Sequence, residues 1–326
     1  MNSPTGELTL ANATASLNAV RERINGVLIG QPKVVDQVLI ALLANGHVLL
    51  EGVPGLGKTL LVRALASCFN GNFKRIQFTP DLMPADITGH AIYDMNTKRF
   101  RLRKGPVFTN LLLADEINRS PAKTQAALLE VMQEQQVTIE GDSLKLELPF
   151  MVLATQNPIE QEGTYPLPEA ELDRFLLKIF IDYPAHQDEV TLTKASLSGS
   201  IDNYFSADTA EPLLSPHGIA QLQSLVRRQT VDEQVTDYAV RLVRATRDNI
   251  AIVSGAGPRA SIGLVHAACA HALLRGGDFV LPDDIKAVAL PVMRHRIILS
   301  ADSEIDGQTS DKVLQRLIEA VEAPRL

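Results

Sequence analysis

Gly52-Val53-Pro54-Gly55-Leu56-Gly57-Lys58-Thr59 fits the pattern G-x-x-x-x-G-K-[ST] at every position. The apolar run Val48-Leu49-Leu50 enters it as a strand, and Leu60, Leu61, Ala64 and Leu65 leave it at helical spacing. A glycine turn that matches by chance would lack that strand–loop–helix setting. Glycines let the main chain wrap closely, so its N–H groups and the helix N-terminus can point at phosphate oxygens. Lys58 adds a point charge for the β- and γ-phosphates, and the Thr59 hydroxyl can ligate Mg²⁺. Gly52 through Thr59, with Leu60 at the helix start, are therefore the first candidate binding residues.

The partner of such a loop is found downstream. Leu111-Leu112-Leu113-Ala114 reads as a strand buried in a sheet, delivering Asp115 and Glu116 at its C-terminal edge. Asp115 is placed to hold Mg²⁺ in part through water, with Thr59 as the other ligand. Glu116 is placed to polarise an attacking water, since phosphoryl transfer needs positioning more than covalent help. An acidic pair at a helix start, before Ser120-Pro121, is the competing explanation.

Around these motifs the first half alternates short apolar runs with helical patterns. Ile76–Phe78, Met151–Leu153 and Ile179–Ile181 read as further strands, and Leu17, Val20, Ile24 and Val27 lie at helical spacing. That alternation predicts a parallel α/β sheet with both faces covered. After Asp182-Tyr183-Pro184 only helical patterns follow, with no convincing strand. Two domains are expected, 1–183 as an α/β nucleotide-binding core and 184–326 as a smaller all-α domain. The Ser- and Asp-containing stretch from Ala195 to Ser215 reads as a long connection between helices.

Composition sets outer bounds. Of 326 residues, 45% are hydrophobic and 21% charged, which excludes a disordered or collagen-like chain. The net charge of −7 shows no basic footprint of the kind nucleic-acid binders carry. Cys68 and Cys269 lie far apart in apolar helical stretches, which predicts buried free thiols and fits a reducing, cytoplasmic compartment. No apolar run is long enough to span a membrane, and Met1 to Ala11 shows no secretory signal. His266 and His271 are spaced too poorly on one helix face for two metal ligands.

With these residues in order, the sequence resembles the AAA+ ATPases, and more narrowly the MoxR family, over most of its length. Ala154-Thr155-Gln156-Asn157-Pro158 resembles the strand end carrying the sensor-1 residue, Asn157. Pro168-Glu169-Ala170-Glu171-Leu172-Asp173-Arg174-Phe175 is similar to the arginine-finger segment, and Gly257-Pro258-Arg259-Ala260-Ser261 to the sensor-2 segment at the start of a lid helix. Ile29-Gly30-Gln31 resembles the loop against the adenine. The wording Asp115-Glu116-Ile117-Asn118-Arg119 and Thr79-Pro80-Asp81-Leu82-Met83-Pro84 is closest to MoxR proteins. The resemblance implies an AAA+ phosphate-loop core with β-hairpin inserts and an α-helical lid, using ATP and Mg²⁺. It assigns Glu116, Asn157, Arg174 and Arg259 to hydrolysis, with Arg174 reaching a neighbour and Arg259 acting on its own subunit's nucleotide or a neighbour's. It also implies a homo-oligomer, a ring hexamer, and protein partners bearing von Willebrand factor A domains. Taken singly, Asn157 is a turn residue, Arg174 a local ion pair and Arg259 a surface residue.

Two inserts are expected. Arg99-Phe100-Arg101-Leu102-Arg103, flanked by Lys98 and Lys104, alternates apolar and cationic residues as a strand does, resembling the hairpin inserted in helix 2 of this branch. Its cationic face reads either as a surface that grips a substrate or as a solvated edge. Val137, Ile139, Leu144, Leu146 and Leu148 around Gly141-Asp142 predict a second hairpin. The leading function is an ATP-hydrolysing, chaperone-like motor that remodels protein partners. A nucleic-acid motor of helicase or helicase-loader type, a chelatase-like ATPase subunit and a small-molecule kinase compete with it. The ordered sensor segments and helical lid disfavour the kinase.

Overall fold

The computed structural model describes residues 9–53, 55–157, 163–198 and 211–325. Pro54, Pro158 and residues 1–8, most of the stretch read for a leader, lie outside them. Two helices open the chain, α1 (Leu10–Asn25) and α2 (Pro32–Leu43). Thr9 starts α1 by accepting the Asn12 N–H on its hydroxyl at 3.3 Å. Leu17, Val20 and Ile24 form its buried stripe, and Val27 lies beyond its end, also buried.

Then follow β1 (Val48–Glu51), α3 (Lys58–Cys68), β2 (Phe73–Gln77), α4 (Pro84–Thr88), β3 (Gly89–Asp94), β4 (Arg99–Lys104), β5 (Leu111–Asp115) and α5 (Ala122–Glu134). After these come β6 (Gln136–Ile139), β7 (Asp142–Lys145), β8 (Met151–Gln156), α6 (Glu169–Leu172) and β9 (Leu177–Phe180). Five strands form one parallel sheet in the order β2-β5-β8-β1-β9. Val48, Leu50, Leu111, Leu113, Leu153 and Ile179 face one hydrophobic cluster, while Leu49, Leu112, Ala114, Val152 and Ala154 face another. Side chains alternate across a strand, so near-continuous apolar runs bury both faces. The expected α/β core is present.

The remaining α-helices among the described residues are α7 (His186–Leu197), α8 (Pro216–Arg227), α9 (Glu233–Ala245), α10 (Pro258–Leu274), α11 (Pro282–Met293), α12 (Ala301–Ile305) and α13 (Ser310–Ala320). Leu264, Leu273, Val288 and Leu314 from this region join the same cluster as Val48 and Leu50, so the helical part closes one face of the sheet. In the first turn of α11 lies Asp284, 1% exposed, bonded to His271 at 2.7 Å and to Arg275 at 2.8 and 2.9 Å. Burial pushes the Asp284 carboxyl up, but these donors and the Leu281 N–H outweigh it and hold it at about 2.

Several expectations are corrected. The helical region contains a small antiparallel pair, β10 (Ile252–Ser254) with β11 (Ile298–Leu299). Strands of three and two residues carry too little sequence for a period-2 pattern to show. Helix α7 continues to Leu197, into the stretch read as a connection, and residues 199–210 lie outside the described part. Both hairpins form, β3 with β4 and β6 with β7, the latter turning at Glu140 and Gly141, both in the left-handed region. In the first, however, the apolar face is open: Phe100 is 74% exposed and packs edge-on to Tyr93, ring centroids 5.3 Å apart. Leu148 lies beyond β7 and is exposed rather than part of the hairpin's apolar set.

Candidate nucleotide site

Parallel pairing aligns the C-terminal ends of the strands. Glu51 pairs with Gln156 on one side and Phe180 on the other, and Gln77 pairs with Asp115. The glycine loop leaves β1 at this edge, where open α/β sheets bind ligands. A Cβ on Gly52 would lie 2.6 Å from the Ile181 carbonyl oxygen, so only glycine fits there. Gly55 and Gly57 have φ of +87° and +79°, the left-handed turns that aim successive N–H groups inward.

Lys58 begins α3, and its ammonium donates to the carbonyl oxygens of Gly52 and, at 3.2 Å, of Gln156. The side chain therefore crosses the mouth of the loop between β1 and β8. Burial lowers its pKa while Asp115, Glu116 and Glu51 pull it back up. Thr59 follows on the first turn of α3.

Asp115 and Glu116 are held by a network that motif reading alone does not show. The Thr155 hydroxyl donates to Asp115 Oδ1 at 2.7 Å and accepts the Glu116 N–H at 2.8 Å. Arg75 pairs with Asp115 Oδ2 at 2.5 Å, and Gln77 donates to Glu116 Oε2 at 2.7 Å. Glu116 sits at φ +57°, a left-handed conformation costly for a side-chain-bearing residue, and Arg119 reaches its carboxylate at 3.2 Å. Arg75 and Gln77, polar residues two apart on β2, were the available signal for this network. Asn157, 6% exposed, directly follows β8 on the same edge.

The oxygen set suits magnesium. Mg²⁺ takes one or two carboxylates and leaves the rest of its octahedron to phosphate and water. Thr59 and Asp115 are the residues that could supply that kind of ligation. Among the described residues no group of three or more His, Cys, Asp or Glu forms a self-sufficient metal cage, and His271 is engaged by Asp284.

Ile29-Gly30-Gln31 lies against this edge. Gly30 has φ +80°, and a Cβ there would come within 2.8 Å of the Asp188 Cβ. Gln31 donates to the Asp182 carbonyl at 2.6 Å, and a Cβ on Gly57 would meet Leu28 at 3.1 Å. The segment is thus clamped between the phosphate loop and the start of α7.

Arg174 and Arg259 stand elsewhere. Both line a cleft of about 230 Å³ with Asp173, Leu176 and Arg296. Leu176 donates to the carbonyl of His47, just before β1, so this cleft opens at the N-terminal edge of the sheet. Four-residue strands separate it from the phosphate loop, roughly 13 Å along the strand direction. The structure brings Lys58, Thr59, Asp115, Glu116 and Asn157 together at one edge, and Arg174 with Arg259 at the other.

The chain matches the model for the ATPase family associated with various cellular activities (AAA) over residues 47–177, and that for the AAA lid domain over 244–317. It is 42% identical to the protein named chaperone MoxR1 of Mycobacterium tuberculosis, covering 99% of this chain and 86% of that one. It is 44% identical to YeaC of Bacillus subtilis over 93% of each chain, and 33% identical to the MoxR protein of Paracoccus denitrificans over 85% of this chain and 87% of that one. The crystal structure of a putative ATPase from Cytophaga hutchinsonii superposes with a TM-score of 0.89 at 40% identity, covering 97% of both chains. The chain belongs to the MoxR family of AAA+ ATPases.

Proposed function

We propose that this chain binds ATP with Mg²⁺ at the loop Gly52–Thr59 and hydrolyses it at sites shared between neighbouring copies, turning the energy into remodelling of protein partners. Lys58 and the loop amides bind the phosphates, Thr59 and Asp115 hold the metal, and Glu116 orients the attacking water with Asn157 beside it. Bound magnesium would neutralise charge on the transferred phosphoryl group. Ile29, Gly30 and Gln31 border the base. One observation supports the shared-site reading: Arg174 and Arg259 line a cleft at the sheet edge opposite Lys58, away from their own phosphate loop.

Such a head-to-tail contact gives a ring where its rotation closes, and six copies are the assembly the resemblance implies. The division into a core to residue 183 and a lid beyond it belongs to the same proposal, as does action in the cytoplasm. The name of the mycobacterial relative, a chaperone, supports protein clients. A partner with a von Willebrand factor A domain is the specific candidate. Phosphate release from ATP, measured with Mg²⁺ and after chelation, tests the core of this proposal. Mg²⁺-dependent turnover that Glu116→Gln abolishes is expected, and turnover unchanged in that variant would remove Glu116 from its role.

A further inference from the structure

The segment that carries Arg174 is stitched to the end of α11 by three consecutive side chains. Arg294 donates to the Lys178 carbonyl at 3.3 Å, and the His295 ring bonds the Phe175 carbonyl at 3.0 Å. Arg296 does most. Its side chain is 4% exposed, and its Nε donates to Asp173 Oδ1 at 2.6 Å. Its two terminal nitrogens reach the carbonyls of Asp173 at 3.2 Å, Phe175 at 2.7 Å and Leu176 at 3.2 Å, as well as that of Val292. The other oxygen of Asp173 faces Arg259 at 3.8 Å. One carboxylate is thus shared by a buried guanidinium and by the exposed one that opens α10.

A fold needs no such device merely to attach a helix, because apolar packing already fastens α11 to β9. What the device fixes is the relation between Arg174 and Arg259. The main chain on both sides of Arg174 is pinned by the Arg296 fork, while the lid residue Arg259 is drawn to the same Asp173. The geometry points to Arg296 as a positioning residue for ATP hydrolysis in the neighbouring subunit: through Asp173 it sets Arg174 and Arg259 side by side at the subunit edge. This rests on the shared-site proposal. A lysine cannot replace the fork, since its ammonium is a point charge without fixed planar geometry.

Mixing experiments test it. Arg296→Lys should keep the assembled mass and ATP affinity of the parent, while kcat falls about tenfold to a hundredfold, the scale expected when a catalytic group is misplaced by an ångström. Its own Lys58 and Glu116 are intact, and Glu116→Gln subunits have an intact Arg174. Equal mixtures of the two should therefore hydrolyse ATP faster than either alone. Arg174→Ala mixed with Glu116→Gln is the control for site sharing. If the control gains activity and the Arg296→Lys mixture does not, Arg296 serves only its own subunit and the inference fails. If the control itself shows no gain, the shared-site proposal fails with it. Parental kcat in Arg296→Lys also overturns the inference. Should that variant not fold, Asp173→Asn, which weakens both arginine contacts at a less buried position, carries the same arms with the same outcomes.

Discussion

At the scale of single residues, charge is placed more closely than the motifs state. The duties proposed for Lys58 and Glu116 are separable. Lys58→Ala should weaken nucleotide binding itself, whereas Glu116→Gln should bind ATP normally and lose roughly 10²–10³ in turnover, the usual worth of a positioning group in a transition state. Equilibrium titration beside steady-state kinetics separates the two. Thr155 is the less obvious member. Its hydroxyl bridges Asp115 and the Glu116 amide, so Thr155→Val, equal in shape, should keep binding while kcat drops about tenfold, the cost of one hydrogen bond at a charged group. Unchanged kcat would show that Arg75 and Gln77 hold the carboxylates without it.

His47 gives a prediction of another kind. Its Nδ1 accepts the Val152 N–H at 3.0 Å, so its Nε2 carries the proton and donates to the Met132 carbonyl at 3.1 Å. Burial lowers its pKa to about 4, against 6.5 in the unfolded chain. Between these values the unfolded state binds the extra proton. The contribution is therefore full above pH 6.5 and is lost as pH falls towards 4, up to about 3 kcal/mol. Denaturant melts at pH 7 and pH 4.5 should show the loss. His47→Gln should be less stable at pH 7 and show a shallower decline; an equally steep decline would assign it to other groups, such as buried His295.

At the scale of elements, the sheet and the phosphate loop were legible because β1, β5 and β8 are buried on both faces and β1 runs straight into a complete loop motif. The N-terminal helix was legible from its stripe. Other features had no local signature. The pair β10–β11 is too short for periodicity, and Arg296 meets Asp173 across 123 residues of sequence. Strand β4 lies between these cases: its period-2 pattern identified the strand, but alternation alone cannot say whether the apolar face is covered. Phe100, Tyr93 and Met95 are exposed, and Arg99, Arg101 and Arg103 occupy the alternate, also exposed positions of β4, so the proposed occupant of the hairpin is a partner with apolar and acidic groups. Replacing the three arginines with Gln should leave folding and basal ATPase intact, because every residue of β4 is exposed. Partner binding, or turnover stimulated by a partner, should fall. Tight, salt-dependent DNA binding abolished by the same change would favour a nucleic-acid motor instead.

At the scale of the whole molecule, the two edges of the sheet divide the chemistry. One edge holds the phosphate loop, Asp115 and Glu116; the other presents Arg174 and Arg259, fastened by Arg296. Within one copy the strands of the sheet separate these two groups by roughly 13 Å. No helix among the described residues is long and apolar enough to cross a membrane. The central claim is that hydrolysis requires two copies in contact. Specific ATPase activity measured across a wide protein concentration range, with molecular mass followed in the same samples, tests it most directly. Activity per subunit should rise with concentration in step with the oligomer. Flat specific activity from a species whose mass remains that of one chain would contradict it.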